Sequence, residues 1–130
     1  MTDHPWAKDQ YDSELVYAIC LVDALHLIAF ADSEPTQAQI DAIQLILDEE
    51  PALQSHHYIT NMIADSLKAK LSKDFSTTAD RILCAMNAVV DDEDRRHKIL
   101  SYSIRVAMLG HVLPNDVLNL LARLTKSLNL

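Results

Sequence analysis

The sequence predicts an all-α, single-domain helical bundle of about six helices with a weak internal two-fold repeat. Apolar residues recur at helical spacing in segment after segment, and no run of Val, Ile or Thr alternates convincingly with polar residues. Aromatic residues, which favour strands, make up only 5% of the chain. No linker or low-complexity stretch divides the 130 residues, a length that suits one hydrophobic core. Residues 1–130 are therefore read as one domain, with residues 1–11 as an N-terminal extension.

The first helix, about Asp12 to Ala31, is apolar almost all round, which predicts the central and most buried element. Thr36 is the expected N-cap of the second, in which Ile40, Ile43 and Leu47 share a face until Glu49-Glu50-Pro51 ends the run. The third, about Ser55 to Leu71, carries Ile59, Met62, Ile63, Leu67 and Leu71 on one stripe, with Ser55 as its cap. Lys68, Lys70 and Lys73 place cations at its C-terminal end, where the helix dipole favours them. Ser76-Thr77-Thr78 is expected to cap the fourth helix, with Ile82, Leu83, Met86 and Val90 inward. Asp91-Asp92-Glu93-Asp94 before Arg95-Arg96-His97-Lys98 opens the fifth, which runs on to Gly110. Pro114 at a first helical position opens the sixth, whose Val117, Leu120, Leu121 and Leu124 are apolar.

Composition excludes several classes of function. The formal net charge of −8 and a pI near 5.0 disfavour binding to a phosphate backbone through a basic face, so no nucleic-acid partner is expected. One glycine, Gly110, cannot build the glycine-rich phosphate cradles of nucleotide-binding enzymes. The longest apolar stretch, Leu15 to Ala31, is interrupted by Asp23 and His26 and falls short of the roughly 20 residues that span a bilayer, so no membrane insertion is expected. The N-terminus shows neither a basic leader nor an apolar signal region, and Cys20 and Cys84 read as buried thiols of a reducing compartment; both point to the cytoplasm.

Asp23 and His26, three apart on an apolar helix, form either a charge-assisted pair or else an exposed seam or a satisfied core hydrogen bond, and the plainer alternative is favoured. Adjacent His56 and His57 point to different sides of a helix and lack zinc-ligand spacing. The pairs Glu49-Glu50 and Asp91-Asp92 flank helix ends and are read as solvated, and Met62, Met86 and Met108 as core filler. Trp6, Tyr11 and Tyr17 are expected to pack back on the bundle. No catalytic motif is present; an enzyme would have to gather His26 or His97 with a carboxylate through tertiary folding alone.

One fixed offset pairs Asp32 with Leu109, Ile40 with Val117, Ile43 with Leu120 and Leu47 with Leu124. Each copy is a helix, a short loop and an amphipathic helix. The loops read Ala31-Asp32-Ser33-Glu34-Pro35-Thr36-Gln37-Ala38-Gln39-Ile40 and Met108-Leu109-Gly110-His111-Val112-Leu113-Pro114-Asn115-Asp116-Val117. With the acidic run Asp91-Asp92-Glu93-Asp94-Arg95-Arg96 before a long apolar helix, this pattern resembles the tellurite-resistance TerB-like family over about Leu21 to Leu47 and Ala88 to Leu130. The family's repeated loop reads approximately Ala-Asp-Gly, three variable residues, a helix start and a Glu.

The resemblance implies a cytoplasmic helical protein of a metal-stress or defence system and, through the loop acids, a divalent-cation site. Asp32 and Gly110 fit the loop pattern, and Asp116 is a shortened form of its Glu. Ser33, Gln39 and Leu109 depart from it, standing where Gly, Glu and Asp are usual. Two readings follow. The first is a non-enzymatic, TerB-like interaction component of a stress-response or defence system, with an unidentified protein partner, self-association left open, no catalytic residues and no cofactor. The alternative is a sensor or buffer of Ca²⁺ or Mg²⁺ in which Asp32, Glu34 and Asp116 converge. A leucine at 109 cannot coordinate a cation, so Leu109 is expected to face the interior or a partner, and Leu109→Asp with Gln39→Glu is expected to create or strengthen divalent binding.

Overall fold

In the computed structural model residues 10–31, 34–86, 92–109 and 115–130 are described. They form α1 (Gln10–Ala29), α2 (Gln37–Glu49), α3 (Pro51–Ser55), α4 (His57–Lys73), α5 (Phe75–Ala85), α6 (Glu93–Met108) and α7 (Asn115–Ser127), with no strand among them. The all-α bundle is as expected. No helix among the described residues is long and apolar enough to cross a membrane.

The apolar periodicity of α1 determines the architecture. Ala18, Leu21, Val22, Ala24, Leu25 and Leu27 are fully buried, and α1 packs against each of the other helices. Burying a leucine-sized side chain is worth about 1.5–3 kcal/mol, so this one helix supplies much of the driving force for collapse. The packing is symmetric under exchange of the repeat halves. α2 lies on α1 and α6, and its counterpart α7 lies on α6 and α1, while α1 and α6 pack on each other.

Local signals account for most boundaries. Thr36 caps α2 in a full capping box: its Oγ1 accepts from the Gln39 backbone N–H, and the Gln39 side chain accepts from the Thr36 N–H. Asp92 caps α6 by accepting from the Arg95 N–H, and Glu93 and Asp94 occupy the first turn as the acidic run implied. α7 ends in a Schellman arrangement. Asn129 is left-handed at φ 62, its N–H donates to the Lys126 carbonyl, and the Leu130 N–H donates to the Thr125 carbonyl.

Four expectations need correcting. The expected third helix is α4, but Ser55 does not cap it: Pro51 opens a short additional helix, α3, and His56, at φ −121 and ψ 27, separates it from α4 and precedes the long helix without a side-chain cap. α5 is capped by Asp74, two residues before the expected Ser76-Thr77-Thr78 cap, and its carboxylate accepts from the Thr77 N–H. Met86 is fully buried, but Met62 and Met108 are 59% and 64% exposed, because their stripes are wider than the faces that α4 and α6 bury. Cys20 is buried and Cys84 exposed, since α5 turns Ala79, Ile82 and Leu83 inward and leaves Cys84 off that face. Trp6, Asp32, Ser33, Val90, Asp91, Gly110 and Pro114 lie outside the described residues, as does the side chain of Tyr11.

Candidate functional site

The two repeat loops meet where the N-terminus of α2 abuts the C-terminal end of α6. Thr36 Oγ1 donates to the Leu109 carbonyl at 3.2 Å, and Gln39 Nε2 donates to the Val106 carbonyl at 3.1 Å. Gln39 is 7% exposed and uses both ends of its amide, one in the capping box and one across the junction. Glutamate at this position would have no N–H to donate and would set a negative charge against a carbonyl oxygen. The Val106 carbonyl also accepts from the Leu109 N–H at 3.1 Å, so Gln39 adds a second donor to a carbonyl of the last turn of α6.

The candidate ion ligands are not gathered by what is described. Glu34 is exposed at the start of the α2 segment, Asp116 is exposed in the first turn of α7, and Asp32 lies outside the described residues. No group of three or more His, Cys, Asp or Glu side chains that could hold a metal occurs among the described residues. Where a loop acid would stand, Leu109 is 41% exposed at the end of α6, beside Met108 and one turn from Ile104, itself 43% exposed. The junction therefore presents apolar side chains to solvent.

Asp23 and His26 do not form a pair; they open onto opposite flanks of α4. His26 is 2% exposed, and its Nδ1 lies 2.8 Å from the Val22 carbonyl, to which it donates. Burial lowers its pKa, outweighing the bond to Val22, so the ring is neutral. It lines a cleft of ≈ 500 Å³ between α2 and α4. Asp23 lines a smaller cleft of ≈ 240 Å³ bounded by α4 and α5, with Lys70 and Arg81 in its walls. Burial raises the Asp23 carboxyl to about 6, against the opposing pull of Lys70. Burial also pushes the Cys20 thiol up to about 12, with Asp23 adding to the shift, which favours the protonated thiol.

A third polar cluster, unforeseen from the sequence, joins α1 to the α2–α3 corner and to α6. Glu50 is 3% exposed rather than solvated, because the turn into Pro51 directs its side chain inward. Its Oε1 accepts from the Tyr17 hydroxyl at 2.8 Å and lies 3.6 Å from Lys98 Nζ. Arg95 stacks over the Tyr17 ring at 5.1 Å and donates to Ser13 Oγ at 3.0 Å. Burial first, and the Glu50 carboxylate second, raise the Tyr17 pKa, so the phenol stays protonated. Nearby, His56 Nε2 sits 3.1 Å from Glu14 Oε1, while His57 is exposed. The Tyr17 hydroxyl and Glu50 Oε1 are bonded to each other and neither residue lines either cleft described above, which fits a clamp between helices better than a reacting centre. Sequence spacing could not find it, because Tyr17 and Glu50 meet only in the folded chain. His97, the other histidine considered for catalysis, is an exposed residue 3.7 Å from Glu93 one turn earlier on α6.

No family model matches the sequence, and no curated protein or solved structure matches it.

Proposed function

We propose that the chain is a non-enzymatic, TerB-like interaction component of a cytoplasmic stress-response or defence system, meeting its protein partner at the C-terminal end of α6. The observation that carries this reading is the exposure of Ile104, Met108 and Leu109 beside the junction of the repeat loops, where Gln39 is already committed to backbone bonds. Exposed apolar side chains clustered at a helix end are a common feature of protein interfaces. The formal charge of −8 favours a partner with a basic rim around its own apolar patch. The free, exposed thiol of Cys84 suits a reducing compartment.

A photo-crosslinking residue placed at Met108, compared with one at exposed Ser72 on α4, tests this in the native cell. A discrete adduct from position 108, absent from position 72 and weakened by Ile104→Glu, is the expected result. Identical adducts from both positions, or none from 108, would refute it. The alternative reading, a Ca²⁺ or Mg²⁺ sensor, is supported by Glu34 and Asp116, exposed carboxylates that form no ion pair among the described residues.

A further inference from the structure

The cleft between α2 and α4 has the size and character of a small-molecule site. Its ≈ 500 Å³ falls within the roughly 300–1,000 Å³ range of ligand pockets. Phe30, Ile40, Ile43 and Leu47 supply apolar walls, and the side-chain amides of Gln44 and Asn61 stand among them. These walls follow from the sequence: Ile40, Ile43 and Leu47 recur along one side of α2, but of the three only Ile43 is buried, leaving Ile40 46% exposed at the mouth. None of Ile104, Met108 and Leu109 lines this cleft, so it is separate from the α6 surface.

His26 gives the cleft chemical selectivity. A carbonyl only accepts, so the contact with Val22 places the ring proton on Nδ1 and leaves a lone pair on Nε2. Among the described residues Nε2 has no hydrogen-bond partner, and the cleft reaches the ring. Lys68 and Asp65 act on the imidazole from α4 with opposite signs, Lys68 disfavouring the charged ring and Asp65 favouring it, and Glu34 stands at the edge. With both signs of charge around the mouth, neither an anion nor a cation is selected. Nε2 opens onto the cleft, so a donor on a bound molecule would take the place of solvent there.

We propose that the cleft between α1, α2 and α4 binds a compact, uncharged, apolar small molecule carrying one O–H or N–H donor, with Nε2 of His26 as the acceptor. Heteronuclear NMR of the full chain with 1-naphthol, against 1-methoxynaphthalene as the matched compound lacking the donor, tests it. At millimolar concentration 1-naphthol is expected to shift amide signals of α2 and α4 around the cleft and to move the His26 Nε2 nitrogen resonance as it accepts the bond. The methoxy compound is expected to bind about tenfold more weakly. Ile40→Asp, at an exposed position, is expected to weaken both compounds, and His26→Phe to abolish the difference between them. Should His26→Phe fail to fold, the Nε2 resonance in the unaltered chain carries the same information. Absence of binding by either compound, equal affinity for the two, or shifts confined to another face would each overturn the proposal.

Discussion

Gln39 and Asp116 occupy the same position in the two halves of the repeat and meet opposite fates. Gln39 is buried, closes a capping box and donates across the junction to the Val106 carbonyl. Asp116 stands in solvent in the first turn of α7, where its charge suits the helix dipole. The chemistry of the two side chains explains the divergence. The repeat offset carries Val106 onto Ala29, and a carboxylate has no proton to offer a carbonyl there. The apolar pair Ile43 and Leu120 is equivalent, buried in both halves, because any well-packed hydrophobe serves. Polar positions are tied to particular donors and acceptors, so they diverge once one half acquires a specific bond.

Substitutions at these positions, and at one buried acid outside the repeat contacts, put the comparison at risk. Gln39→Glu is expected to cost about 3 kcal/mol, since it removes a donor to Val106 and buries a charge beside a carbonyl. It is correspondingly not expected to yield a divalent site, even combined with Leu109→Asp. Chemical denaturation checks the first point and calorimetry with Ca²⁺ the second; an unchanged stability would show that the junction bond contributes nothing.

Asp23 tests what burial does without a committed partner. Its carboxyl titrates at about 6 in the folded chain and near the ordinary 3.8 when unfolded, so the native state holds the proton more tightly. The stabilising contribution is complete below the unfolded value and is lost as pH rises through about 6. Asp23→Asn should flatten that dependence and raise stability at neutral pH by roughly 2 kcal/mol. Denaturation curves at acid and neutral pH measure both effects, and a variant with the parent's slope would show that the carboxyl is adequately solvated in its cleft.

The smallest change is expected at the exposed member of the pair. Asp116→Asn removes only a dipole interaction and should cost about 0.3–1 kcal/mol, reduced further by salt. A loss as large as that of Gln39→Glu would mean that Asp116 holds a partner of its own.

Much of the fold was legible because it rests on local signals. Thr36 and the acids before Arg95 mark helix starts by their own hydrogen bonds, and the near-continuous apolar character of α1 marks the element that all others cover. Features of the candidate sites were less legible, since they depend on meetings between distant segments. Nothing near Gln39 announces Val106, and nothing near Glu50 announces Tyr17. The periodicity of α4 and α6 located their apolar stripes but not their widths, which is why Met62 and Met108 read as core and stand in solvent. The separation of Asp23 from His26 has a similar origin: three residues of helix bring them to neighbouring faces, and α4 then packs between their clefts.

The central claim is that the chain's own amide, and not an ion, closes the junction between the repeat loops. Thermal unfolding of the chain in chelator, and then with Ca²⁺ or Mg²⁺, tests it most directly. An ion that binds only the native state must raise the midpoint. An unchanged midpoint with either ion, together with a clear fall in Gln39→Glu, is the expected result. A rise of several degrees with one ion, abolished by Asp32→Asn, would contradict the claim and make the acidic loops a cation site.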